Sequence, residues 1–161
     1  MVTVETLFEK HTYYVALVKV LRNEIEYSER QLSQDSIERD EEIASMVLSH
    51  AAVIEHHTAS HYRASATEGA ALKLLPEEIT RKRGLLVQCE RQLFLYNVIL
   101  STLIPKEQWF VSKHYCEKVP MSQMIRDKES PFYEYSRSTV WRYKQRLLKK
   151  AHDTLSQLRN A

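Results

Sequence analysis

The chain carries only two glycines, four prolines and two cysteines in 161 residues, and each scarcity removes something. With so few glycines there is no Gly-rich phosphate loop and no dinucleotide fingerprint. Cys89 and Cys116 stand far apart without CxxC spacing. That argues against a disulfide framework and fits reduced thiols in a cytoplasmic protein. No charged-then-apolar leader opens the chain, and no apolar run approaches the roughly 20 residues of a membrane span. The expectation is therefore a cytoplasmic protein with no membrane partner.

What is present in quantity is Leu, Glu, Lys, Arg and Gln, all good helix formers, with 43% hydrophobic content to build a core. These totals predict an all-α protein. The net charge of +2 hides an uneven distribution. Residues 1–105 hold 11 basic and 15 acidic side chains, a net of −4, whereas residues 106–161 hold 12 and 6, a net of +6. Such asymmetry is expected where one module meets nucleic acid and the other serves a different purpose. It divides the chain into a helical bundle or coiled coil over 1–104 and a basic domain over 105–161.

In the first part, Val4, Leu7, His11, Tyr14, Val18, Leu21, Ile25, Ser28 and Leu32 alternate steps of three and four, a heptad seam. Phe8 and Val15 widen it, which fits packing inside a bundle as well as pairing with a second chain. His11 on this seam reads as a tolerated polar core residue. Gln31 to Glu42 is so polar that it reads as a loop or a frayed helix end, with a second helix from Ile43 to about Tyr62. His50, His57 and His61 share a face of that helix. His57 and His61 have the spacing of a zinc pair, but no glutamate follows His57 and no cysteine lies near, so no metal or other cofactor is expected. Ser65 and Glu68 have capping-box spacing, and Pro76 suits a first turn, so a fresh helix is expected there. Leu75, Ile79, Lys82, Leu86, Cys89, Leu93, Tyr96, Leu100 and Leu103 then repeat the heptad steps. Antiparallel pairing of the two seams would bury both. The remaining stripe of Leu85, Phe94, Val98 and Ile99 would face a third helix or a second copy, making a homodimer one expected assembly.

Pro105 ends that long helix and opens the basic domain. Trp109, Phe110 and Tyr115 mark one short helix, and Met121, Met124 and Ile125 a second one after Pro120. Ser136 to Ala151, SRSTVWRYKQRLLKKA, is the third. Ser136 can cap it, leaving an N-terminal end suited to phosphate. Val140, Tyr143, Leu147 and Ala151 form an inward stripe. Arg137, Arg142, Lys144, Arg146, Lys149 and Lys150 supply positive charge with no acid among them, a surface made for a polyanion.

IPKEQWFVSKHYCEKVPMSQMIRD followed by YSRSTVWRYKQRLLKKA resembles region 4 of sigma factors, and resembles still more the C-terminal domain of the sigma-like phage late-gene regulators of the ArpU and RinA type. The match rests on Ser136, Arg137 and Val140 in a Ser-Arg-x-x-Val start, with Tyr143, Leu147 and Leu148 at apolar positions. It implies a helix-turn-helix whose recognition helix, 136–151, enters the major groove of double-stranded DNA, in a phage or prophage late-gene activator. Sigma-like modules also touch RNA polymerase, which makes polymerase a second partner for such a chain. One departure is the segment KESPFYEY, which lengthens the turn beyond the usual roughly three to four residues and brings Phe132, Tyr133 and Tyr135, either to pack or to meet DNA.

Within the recognition helix, Arg137 and Arg142 suit base reading, because a guanidinium donates two bonds to guanine. By the resemblance, Ser138 and Trp141 share the exposed N-terminal face. Trp141 would either stack on sugar or a thymine methyl, or close the core. Lys144, Arg146, Lys149 and Lys150 suit phosphate. Two other classes fit the same pattern. One is a small-terminase-like packaging protein, although that family places its DNA module first. The other is a helical protein-interaction or inhibitor module whose basic helix binds an acidic partner. No nucleophile, acid–base pair or metal cluster stands at motif spacing, so no enzyme is expected.

Overall fold

Thr3 starts the first helix by accepting a hydrogen bond from the Thr6 backbone N–H at 3.2 Å on its hydroxyl. The structure is a computed structural model that describes residues 3–49 and 59–160, with side-chain surroundings for 3–35, 37–41 and 75–160. Every regular element among these residues is a helix: α1 Val4–Glu9, α2 His11–Ser49, α3 Ala59–Ser101, α4 Pro105–Val111 continued by a π-helical turn over Ser112–Cys116, α5 Met121–Met124 and α6 Arg137–Asn160. No helix among the described residues is long and apolar enough to cross a membrane.

Two expectations about the long helices need correcting. The polar stretch Gln31–Glu42 is helical within α2, which runs on to Ser49. Its Gln, Glu, Arg, Leu and Ile residues are strong helix formers with no glycine or proline to stop them, and polarity there marks a solvated helix. Nor does a helix begin at Ser65 or Pro76, because α3 is already helical from Ala59 and carries Pro76 in its interior. Proline there forgoes one backbone bond, which the following seam, once packed, can offset. Of the second helix expected over 43–62, residues 43–49 are helical in α2 and residues 59–62 in α3, and residues 50–58 lie outside the described residues. His50 and His57, and the side chain of His61, lie outside the described residues.

The chain divides into two units, one made of residues 18–87 and the other of residues 1–17 with 88–161. In the first, the seam residues Val18, Leu21, Ile25, Ser28 and Ile79 are buried. Lys82, a charged residue on the seam, lies between two partners, Glu24 at 3.0 Å and Glu78 at 3.1 Å. The Glu24 carboxylate, then that of Glu78, holds its ammonium above the ordinary lysine range. Arg83 pairs with Glu29 beside it.

In the second unit α1 and α6 pack against one another, and Val4, Leu7 and Phe8 join Tyr96, Ile99, Leu103, Phe110 and the inward face of α6 in one core. His11 is half-buried against this core. Its ring stacks on Tyr96 at 3.8 Å, and burial pushes its pKa down. Cys89 is buried, and Cys116 half-buried; both are unpaired thiols.

The joint between α3 and α4 is built by side chains. Ile104 precedes Pro105 in extended conformation, and Glu107 reaches back to accept the Ile104 N–H at 2.9 Å. Gln108 donates from Nε2 to the carbonyls of Leu100 and Leu103, both at 3.0 Å, covering the C-terminal end of α3. Replacing Gln108 with Ala removes the donor for both carbonyls, and should cost about 1–2 kcal/mol in a denaturant titration. Gln108→Glu, which cannot donate, should lose at least as much. A midpoint unchanged in both variants would show that this clamp does not hold the joint.

Candidate nucleic-acid interface

The connection of Ile125 to Ser136 is ordered by local side-chain bonds. Asp127 Oδ1 accepts the Glu129 N–H at 3.0 Å, and the Ser130 hydroxyl accepts the Phe132 N–H at 3.1 Å. Glu134 takes a left-handed backbone (φ 62°) and donates its N–H to Ile125 O at 3.1 Å, closing the loop on the end of α5. This geometry drives Phe132 inward. It is fully buried, with ring centroids 6.0 Å from Trp109, 5.6 Å from Phe110 and 4.9 Å from Tyr143. Of the three loop aromatics Phe132 packs, while Tyr133 and Tyr135 stay exposed. Lys106 locks the loop from outside, its ammonium 4.8 Å from the Phe132 centroid and 4.6 Å from that of Tyr135, with a 2.9 Å bond to the Tyr135 hydroxyl.

Ser136 then caps α6. Its hydroxyl accepts the Thr139 N–H at 3.2 Å, and its carbonyl accepts the Val140 N–H. Val140, Leu147, Ala151 and Leu155 are buried at helical spacing, which fixes the rotation of the helix about its axis. The opposite stripe is thereby turned to solvent. It holds Ser138, Trp141, Arg142, Gln145 and Lys149 at steps of three and four, with Arg137 and Arg146 exposed at its edges. Trp141 is 55% exposed, so it does not close the core. No acidic residue occurs in α6 before Asp153.

Two of the basic residues are differently placed. Lys144 lies against the Glu5 carboxylate at 2.9 Å and over the Tyr115 ring at 5.4 Å, its side chain only 18% exposed. This pairing holds Glu5 below the ordinary carboxylate range. Tyr115 also donates to Glu5 at 3.2 Å, so Lys144 belongs to a cluster that fastens α1 to α6. Lys150 pairs with Glu107 at 2.8 Å. The structure thus brings Arg137, Ser138, Trp141, Arg142, Arg146 and Lys149 onto one accessible surface and leaves Lys144 off it. Gln145 is the residue on this stripe that sequence reasoning passed over. Its position, four after Trp141 and three after Arg142, was the available signal.

Comparison with protein-family models, with curated proteins and with solved structures finds no match for this chain.

Proposed function

We propose that residues 105–161 form a helix-turn-helix module that binds double-stranded DNA, with the N-terminal half of α6 in the major groove, and that the chain is a transcription regulator. The observation that carries this reading is Trp141, exposed on a stripe with Arg142 and Lys149 and flanked by Arg137 and Arg146. What marks this tryptophan is its company, because a base-reading surface pairs apolar groups with guanidinium donors. Gln145 adds a side chain able to bond adenine. The sigma-like Ser-Arg-x-x-Val start of α6 supports the narrower reading of a phage or prophage late-gene activator, with RNA polymerase as second partner. The two heptad seams support an antiparallel coiled-coil pairing of α2 and α3, and a homodimer would set two modules on two half-sites.

The test is a gel shift with fragments of the chain's own genomic neighbourhood and an unrelated competitor. Wild type should select one fragment. Arg137→Ala with Arg142→Ala should lose that selection, each arginine contributing about 1–3 kcal/mol of discrimination. Lys149→Ala should weaken all fragments evenly and lower the salt slope by about 1. Indifferent binding to every fragment, unchanged in the double variant, would overturn the assignment of α6.

A further inference from the structure

One flank of α6 carries donors that the stripe of Trp141 and Arg142 does not include. Thr139, Tyr143, Arg146 and Lys150 stand in a row at steps of three and four beside that stripe. Lys106 of α4 reaches over the row, its ammonium 5.6 Å from the Tyr143 ring as well as over the rings of Phe132 and Tyr135. Arg146 and Tyr135 both act electrostatically on the Tyr143 phenol, so Lys106, Tyr135 and Arg146 gather around one side chain. The Tyr143 hydroxyl itself is buried and stays out of reach of any ligand. Glu107, next to Lys106 in the chain, is taken up by Lys150 at 2.8 Å and by the Ile104 N–H at 2.9 Å. The bond between Lys106 and Tyr135 has a direction. An ammonium only donates, so the Tyr135 oxygen accepts from Lys106 at 2.9 Å and its own proton is left to donate outward. Tyr135 is 38% exposed. The rings around the lysine stem hold it in one place, so less side-chain entropy remains to be lost on binding.

We propose that Lys106 and Tyr135 clamp a backbone phosphate of double-stranded DNA, on the strand that runs along the Arg146 flank of α6. This rests on the reading of α6 as the helix that enters the major groove. A helix of about 10–12 Å diameter fills a groove roughly 12 Å wide, which brings its two flanks against the two phosphate strands. On the other flank Lys144 is already paired with Glu5. The Lys106 side is therefore the one with donors to spare. One phosphate oxygen accepts the Tyr135 O–H, and a second accepts a remaining N–H of Lys106. Such a contact fixes register and orientation on the duplex without reading its sequence. The lengthened connection between α5 and α6 acquires a task, because it delivers Tyr135 to the clamp.

Salt titrations of the full chain on one duplex of fixed sequence, followed by fluorescence anisotropy, test the clamp. Lys106→Gln removes the charge and should weaken binding about eightfold near 0.1 M salt, lowering the slope of log K against log salt by about 0.9. Lys106→Arg keeps the charge and should keep the wild-type slope. Tyr135→Phe retains the ring over Lys106 and loses only the hydroxyl. It should weaken binding about fivefold with little change of slope, and it supplies an independent check should Lys106→Gln fail to fold. A lysine that merely braced the loop would lower the unfolding midpoint in Lys106→Gln and leave the slope of the folded protein untouched. That result, or wild-type affinity in Tyr135→Phe, would overturn the clamp and leave DNA binding standing. Absence of salt-sensitive binding of wild type to any duplex would overturn the clamp and the DNA reading together.

Discussion

Phe110→Ala is expected to destabilise the unit holding α6 by about 3–5 kcal/mol, a large part of the total stability of a domain this size. Phe110 is fully buried, and its ring lies 5.6 Å from Phe132, 6.0 Å from Tyr143 and 6.5 Å from Tyr115. It is therefore the point where α4, the loop, α6 and the π-helical turn meet. Truncation leaves a cavity that those rigid rings cannot close, since each is held by its own backbone. Phe110→Leu retains most of the volume and should cost less than half as much. Tyr27→Ala, at a side chain 64% exposed, should change stability by no more than about 0.5 kcal/mol. Denaturant titrations followed by circular dichroism compare the three. A Phe110→Ala midpoint within error of wild type would show that the aromatic cluster does not hold this unit together.

The heptad seams were readable because a face that must be buried leaves its period in the sequence whatever covers it. Of the first seam, Val4, Leu7, Val18, Leu21, Ile25 and Ser28 are buried. Of the second, Ile79, Cys89, Tyr96 and Leu103 are buried. The inward stripe of α6 was readable for the same reason, and its complement gave the exposed residues from Arg137 to Lys149. Helix ends were less legible. Polar residues at 31–42 suit a loop and a solvated helix equally, and only the neighbouring turns decide between them. Pairings between distant residues leave no period at all. Nothing local to Lys144 says that Glu5, far away in the chain, will draw it off the exposed surface, and nothing near Gln108 says that it will cover the carbonyls of Leu100 and Leu103.

The same cluster sets the expected response to alkali. Burial is the main cause that raises the pKa of Tyr96, Tyr115 and Tyr143 above the ordinary value for tyrosine, and Tyr143 is pushed up to about 12. After burial, Glu5 acts on Tyr115, Cys116 on Tyr96 and Glu107 on Tyr143. A raised folded value means that the native state holds protons which the unfolded chain releases. The associated stability is whole below about pH 10 and is lost as pH rises through the folded values. Alkaline unfolding should accordingly be cooperative and steep above pH 10, with part of the phenolate absorbance appearing only as helical circular dichroism collapses. Tyr143→Phe should move this transition to higher pH. It removes one proton-linked group, and its hydroxyl, buried without a partner, contributes no bond to lose. Tyr115→Phe forfeits the bond to Glu5 and should cost about 1 kcal/mol at neutral pH while likewise flattening the alkaline limb. Complete ionisation of all nine tyrosines with the helical signal intact would contradict the burial of these three rings and the core they define.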